Sequence, residues 1–160
     1  KIGENITVRR FDRVKSPDGL VAGYLHGGKI GVLVSMDNCG EELGKDIAMH
    51  IAASRPICIA EDDIPEEAIE VERSIFLAQA KESGKPDEII KRMVDGKLNK
   101  YKKENSLLGQ AYVKNPEISV GNLIAEVDAK VRKMFRYEVG EGLEKRKDDF
   151  VAEVMAQANS

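Results

Sequence analysis

The 160 residues carry 25 basic and 28 acidic side chains, a net charge of −3, so no global cationic excess exists to hold a nucleic-acid backbone. Leu, Ile, Val and Phe together make 42 of the 160 residues, which excludes wholesale disorder and supplies one ordinary hydrophobic core. The longest apolar stretch, 30–34, falls far short of the ~20 residues a membrane-spanning helix requires.

Residues 5–14 alternate in the manner of a strand, with Ile6, Val8 and Phe11 among Thr7, Arg9, Arg10 and Asp12. Ser16-Pro17-Asp18-Gly19 is a turn, because Pro presets φ and Gly accepts a positive one. A second strand is predicted over 20–26. Gly27-Gly28-Lys29 turns the chain again, and 30–36 is apolar and β-branched enough for a more buried third strand. The opening third is therefore read as an antiparallel meander.

An amphipathic helix follows over 41–54. Leu43, Ile47, His50 and Ile51 share one face, and Pro56 ends it. From 61 to 104 the pattern predicts two long helical arms separated by Ser83-Gly84-Lys85-Pro86, with Gly closing one helix and Pro opening the next. In the first arm Ile64, Ala68, Val71, Ile75 and Ala78 step by 4, 3, 4 and 3, a heptad seam; in the second, Ile90, Val94, Leu98 and Tyr101 form a comparable stripe. Residues 61–83 carry 8 acids against Arg73 and Lys81, whereas 85–104 carry 7 bases against 4 acids. Opposite charge and a tight turn argue for an antiparallel helical hairpin in which charge selects the pairing and the seam stabilises it. Four or so seam residues per arm make a thin core, so the hairpin is expected to lean on a second copy of itself.

After a loop over 107–116, a helix is predicted over 120–131 with Leu123, Ile124, Val127 and Val131 on one face. A last strand is predicted over 134–139, where Phe135, Tyr137 and Val139 alternate. Gly140 and Gly142 break the chain before a final helix from Lys147 onward, whose first turn holds Asp148 and Asp149 and whose stripe is Phe150, Val151, Val154, Met155 and Ala158. The expected fold class is α+β: an antiparallel sheet of three to four strands packed with helices, carrying an inserted antiparallel helical hairpin, or coiled coil. The expected division is a discontinuous core half over 1–60 and 105–143, a hairpin over 61–104, and a terminal helical module over 144–160.

Chemistry is sparse. The run from Gly23 to Ile30 has the spacing GxxxxGK of a phosphate loop, but Ile30 stands where Ser or Thr should reach a metal, and the loop joins two strands instead of opening a helix. His26 and His50 are the only histidines, and with two scattered cysteines they make no metal-ligand spacing. His50, on the apolar side of a helix, reads as a satisfied core or boundary histidine; His26, beside two glycines at a strand end, is the better contact candidate. Cys39 and Cys58 lack Cys-x-x-Cys spacing and read as free thiols of a reducing compartment, with a single bridge as the alternative. No catalytic residue, metal site or cofactor site is expected. The chain opens on Lys1, without an initiator Met or a signal-peptide pattern, and reads as a piece lacking its amino-terminal part.

Several stretches, in order, carry a resemblance: Lys1-Ile-Gly-Glu-Asn-Ile6, the run from Tyr24 to Val34, Asp46-Ile-Ala-Met-His-Ile-Ala-Ala53, Ser83-Gly-Lys-Pro86, Met93-Val94 with Gly96 and Lys100, Leu107-Leu-Gly-Gln110 and Phe135-Arg-Tyr-Glu-Val-Gly-Glu-Gly142. Together they resemble the carboxyl-terminal part of translation elongation factor Ts over essentially the whole chain. That family comprises the guanine-nucleotide exchange factors of elongation factor Tu, built from an amino-terminal helical module, a core of two similar α+β halves, a dimerising helical hairpin and a short terminal helix. The resemblance implies that Ile2, Gly3 and Glu4 lie near the GTPase nucleotide domain. It also implies that the turn over 24–29, with Tyr24, His26 and Gly27, faces the partner's third domain, and that Phe150 and Val154 sit on a helix gripping the nucleotide domain. Val71, Ile75, Ile90, Val94 and Tyr101 would serve the dimerising hairpin. Each residue also has a plain structural alternative: Ile2 a chain end, His26 a turn residue, Phe150 a plug of its own core. The family's Thr-Asp-Phe-Val motif, which disturbs the magnesium and nucleotide site, occurs nowhere in the chain. The expected partners are elongation factor Tu and a second copy through the hairpin, with neither membrane nor direct nucleic-acid binding. The expected compartment is a bacterial cytoplasm, with an organelle matrix as the alternative. An assembly module without exchange activity of its own is the alternative function.

Overall fold

A three-stranded antiparallel sheet and a 14-residue helix build the core together with side chains from residues 107–129, and the chain's turns explain why. The computed structural model describes residues 8–142. β1 (Leu20–His26) returns as β2 (Ile30–Asp37) through a turn in which Gly27 (φ 55°) and Gly28 (φ 68°) both take positive φ, closed by the Lys29 amide donating to the His26 carbonyl at 3.0 Å. β5 (Lys130–Glu138) pairs antiparallel with the other edge of β2, giving the order β1-β2-β5. A bulge interrupts that pairing between Ser35 and Met36.

α1 (Glu41–Ser54) runs over the boundaries the sequence predicts, with Glu41 and Glu42 in its first turn. It ends where Arg55 takes φ 51° and donates its amide to the Ile51 carbonyl at 3.2 Å, just before Pro56. Ile47, Ala48 and Ile51 are fully buried and pack with Val32, Val34 and Met36 of β2, Leu107, Val120 and Ile124. Gly44 lets this helix lie close, since a Cβ there would meet Leu20 Cδ2 at 2.6 Å and the Ala22 Cβ at 3.0 Å.

Between Cys58 and Ser106 the chain makes a long helical excursion. A 3-10 turn, Glu61–Asp63, leads to α2 (Glu66–Lys81) and α3 (Asp87–Asn105), joined through Gly84 at φ 64°. The two helices pack on each other through Ala80, Ile90, Val94 and Leu98, with Ile69 and Phe76 half-buried against them. The second-arm stripe is therefore in place for Ile90, Val94 and Leu98, with Tyr101 half-buried. The first-arm seam is in place only at its start, where Ile64 is buried ahead of α2 and Ala68 is half-buried. Val71 and Ile75 are 58% and 42% exposed and Ala78 is exposed, because α2 packs on α3 through Ile69, Phe76 and Ala80 instead. The aromatic ring of Phe76 has more apolar area to bury and turns its own side inward. The charge expectation needs a second correction: among the described residues the cross-arm ion pair is Arg73 with Asp95 at 3.7 Å, each the minority sign of its own arm.

Other elements also depart from the pattern. Residues 8–15 form no strand; Arg10 instead stacks on the Tyr137 ring at 4.4 Å, and Asp12 accepts from the Tyr137 hydroxyl. The predicted loop over 107–116 contains β3 (Ala111–Tyr112), which pairs with β4 (Asn115–Ser119) in a small separate ribbon. α4 is only Val120–Ala125, capped by Ser119 Oγ accepting from the Asn122 amide at 3.1 Å. It stops early because Asp128 takes φ 52°, so that the Ala129 amide reaches the Ile124 carbonyl and the Asp128 amide reaches Ala125. Val127 is consequently exposed, and β5 starts at Lys130, before the strand predicted from Met134.

Candidate partner interface

Of the residues expected to meet a partner, Tyr24, His26 and Gly27 fall within the described part; Ile2, Gly3, Glu4, Phe150 and Val154, with the terminal helix from Lys147, lie outside it. The first three sit at the tip of the β1–β2 hairpin. Open space surrounds a Cβ built on Gly27 or Gly28, so positive φ is what requires glycine there, and it leaves the tip low and accessible. The Tyr24 hydroxyl and His26 Nδ1 share a hydrogen bond of 3.1 Å, with ring centroids 6.0 Å apart. Among the described residues His26 makes no other side-chain hydrogen bond, and its ring is exposed at the tip.

Beneath the tip lies a hollow of about 340 Å³ between the hairpin and the end of α1, lined by Tyr24, His26, Ile30, Met49, Ala53 and Val113 among others. Its rim is charged. Glu138 accepts from Arg136 at 2.9 Å and pairs with Arg55 at 2.8 Å; the Arg136 hydrogen bond first, opposed by desolvation and then aided by both guanidinium charges, holds its carboxyl below the usual range. An apolar hollow with a polar rim and one aromatic–histidine pair suits a protein side chain.

His50 is not at this surface. It is fully buried, as a core histidine should be, with Nδ1 accepting from the Val113 amide at 3.2 Å and Nε2 bonded to Gln110 at 3.0 Å. Burial pushes its imidazole below its ordinary value, against the raising effect of the Gln110 bond. One turn earlier, Asp46 accepts from the Tyr112 hydroxyl at 3.0 Å and pairs with Lys114; burial, then that carboxylate, pushes the phenol up to about 12. Both cysteines are free: Cys39 half-buried, Cys58 buried and donating to the Ala60 carbonyl at 3.1 Å. Burial raises both thiols, Cys58 further through Asp63, so neither is primed as a thiolate. Gly23 through Ile30 form strand, turn and strand, so the phosphate-loop spacing opens no helix.

The sequence reading misses the outer face of the sheet. Leu25 (69% exposed), Leu33, Phe135 and Tyr137 line an open groove of about 640 Å³ with Arg10 and Phe11. The signal was present: β2 is apolar at consecutive positions, the mark of a strand meant for cover on both faces, and α1 covers only one.

The sequence model of the family described as Elongation factor TS matches residues 1–141. The chain belongs to the elongation factor Ts family. Among curated relatives, elongation factor Ts of Legionella pneumophila strain Paris is 58% identical over 160 residues, all of this chain and 54% of the relative. The same factor of Alkalilimnicola ehrlichii is 54% identical over 158 residues, and that of Methylococcus capsulatus 52% over 160. The chain spans about half the length of the curated elongation factor Ts relatives it matches. No described helix is long and apolar enough to cross a membrane.

Proposed function

We propose that this chain acts as the carboxyl-terminal part of an elongation factor Ts, binding elongation factor Tu and assisting GDP/GTP exchange on it without covalent chemistry of its own. The observation that carries this reading is the 58% identity to a factor of that name across the full 160 residues. The accessible glycine tip, which carries the exposed His26, supports it. The proposed partner contacts are Ile2, Gly3, Glu4, Tyr24, His26, Gly27, Phe150 and Val154, and the proposed compartment is the bacterial cytoplasm. The proposed division is the core half over 1–60 and 105–143, the hairpin over 61–104 and the terminal module over 144–160. The first core half, with its Thr-Asp-Phe-Val motif, is proposed to belong to the remainder of the relatives' length. Calorimetric titration with nucleotide-free elongation factor Tu tests the reading. Saturable 1:1 binding is expected, weakened about tenfold by His26→Ala, the cost of a modest interface anchor. No heat at high micromolar concentration would overturn it.

A second reading rests on the arm. Val71, Ile75 and Ile89 expose apolar area on α2 and α3, which supports a homodimer formed through paired hairpins as a coiled coil. Sedimentation of the chain is expected to show a dimer that Val71→Lys with Ile75→Glu converts to monomer. A chain that is already monomeric at high micromolar concentration would leave no role for this face in assembly.

A further inference from the structure

We propose that Gln110, held in one orientation by His50, is the latch that fixes the angle at which the α2–α3 arm leaves the core. The arm departs and returns at one place. The Ile57 amide donates to the Asn105 carbonyl at 2.9 Å, the Leu107 amide to Cys58 at 2.9 Å and the Leu108 amide to Ile59 at 3.0 Å. Such a ladder ties two chain crossings together, yet a single ladder is also an axis about which the arm can turn. A second attachment, off that axis, is needed to stop it.

Gln110 supplies that attachment. Its Nε2 donates to the Glu104 carbonyl at 2.8 Å and to the Ser54 carbonyl at 3.2 Å. Glu104 lies in the last turn of α3 and Ser54 is the last residue of α1, so both carbonyls are helix-end acceptors with no donor inside their own helices. One side-chain amide thus closes the ends of two helices, one in the core and one in the arm. Both hydrogens of the amide are used.

His50 decides which way that amide points. Because Nδ1 accepts the Val113 amide, the ring proton sits on Nε2 and donates to Gln110 Oε1 at 3.0 Å. Flipping the Gln110 amide would set its NH₂ against that proton and its oxygen against two carbonyls. Both side chains are buried, so water does not compensate the mismatch. Neutral His50 therefore selects the latched orientation, and Gln110 is a positioning residue for the arm.

The test is the distance distribution between spin labels on Lys45→Cys in α1 and Glu82→Cys at the end of α2, in a chain with Cys39→Ser and buried Cys58 left in place. The parent should give one narrow distance. Gln110→Ala, and Gln110→Glu, which keeps the shape but loses both donors, should broaden it about twofold or split it. Tyr112→Phe removes the neighbouring bond to Asp46 without touching either carbonyl and should leave the distribution narrow. An unchanged width in the Gln110 variants, or equal broadening in Tyr112→Phe, would overturn the latch. A readout in the unsubstituted chain tests the hydrogen bonds the latch requires even if those variants do not fold: the Gln110 side-chain NH₂ should exchange with solvent at least about tenfold more slowly than that of exposed Gln79. Equal exchange would overturn the proposal as well.

Discussion

Ile51→Ala is expected to lower the unfolding free energy of the core by about 3–4 kcal/mol, the usual range for truncating a fully buried branched aliphatic. Ile51 has no exposed surface and sits in the cluster that joins α1 to Val32, Val34 and Met36 of β2 and to Leu107 and Val120. The loss has two parts: the transfer free energy of the removed methylenes, and a cavity that a rigid helix–sheet contact cannot refill. Against a total of about 5–15 kcal/mol for a domain, that is a large fraction. Val127→Ala makes the contrast, because Val127 is 53% exposed and its truncation should change stability by less than about 0.5 kcal/mol. Urea denaturation followed by circular dichroism checks both. A loss below about 1 kcal/mol at Ile51 would mean that α1 relaxes onto the sheet, contrary to the packing described.

What the sequence could disclose follows from how local the governing physics is. α1 was legible to the residue because its start, apolar face and stop are all local signals: acids in the first turn, Ile47 and Ile51 one turn apart, then Pro56. The β1–β2 hairpin was legible because two adjacent glycines almost define its turn. The α2 seam was not, since two apolar sets one residue apart, Ala68-Val71-Ile75-Ala78 and Ile69-Phe76-Ala80, both fit helical spacing, and only contact with Ile90, Val94 and Leu98 chooses between them. α4 ended early through Asp128, a non-glycine residue in the left-handed region, which carries no strong sequence mark. At the candidate interface, the glycine tip was visible in the sequence while the hollow beneath it was not, because its walls come from β1, β2, α1 and Val113, which only the fold assembles. Likewise no spacing rule joins His50 to Gln110, 60 positions apart.

The chain alone is expected to bind elongation factor Tu weakly and to accelerate GDP release far less than a full-length relative. An exchange factor must hold the nucleotide-free GTPase more tightly than the nucleotide-bound form, since only that difference weakens nucleotide binding. In the family that the chain resembles, the group that disturbs the nucleotide site is the Thr-Asp-Phe-Val motif, which this sequence does not contain. The glycine tip, proposed to face the partner's third domain, would make contacts indifferent to bound GDP. Contacts equal in both states shift no equilibrium, however strong they are. Losing a buried aromatic anchor also removes about 2 kcal/mol of affinity, close to thirtyfold. The measurement is release of fluorescent GDP from elongation factor Tu with saturating chain, beside the Legionella pneumophila factor to which the chain is 58% identical. Equal rates would place the disturbing contacts inside these 160 residues, with Ile2, Glu4 and Phe150 the first to substitute, because the hairpin tip alone gives no reason for a difference between the two nucleotide states.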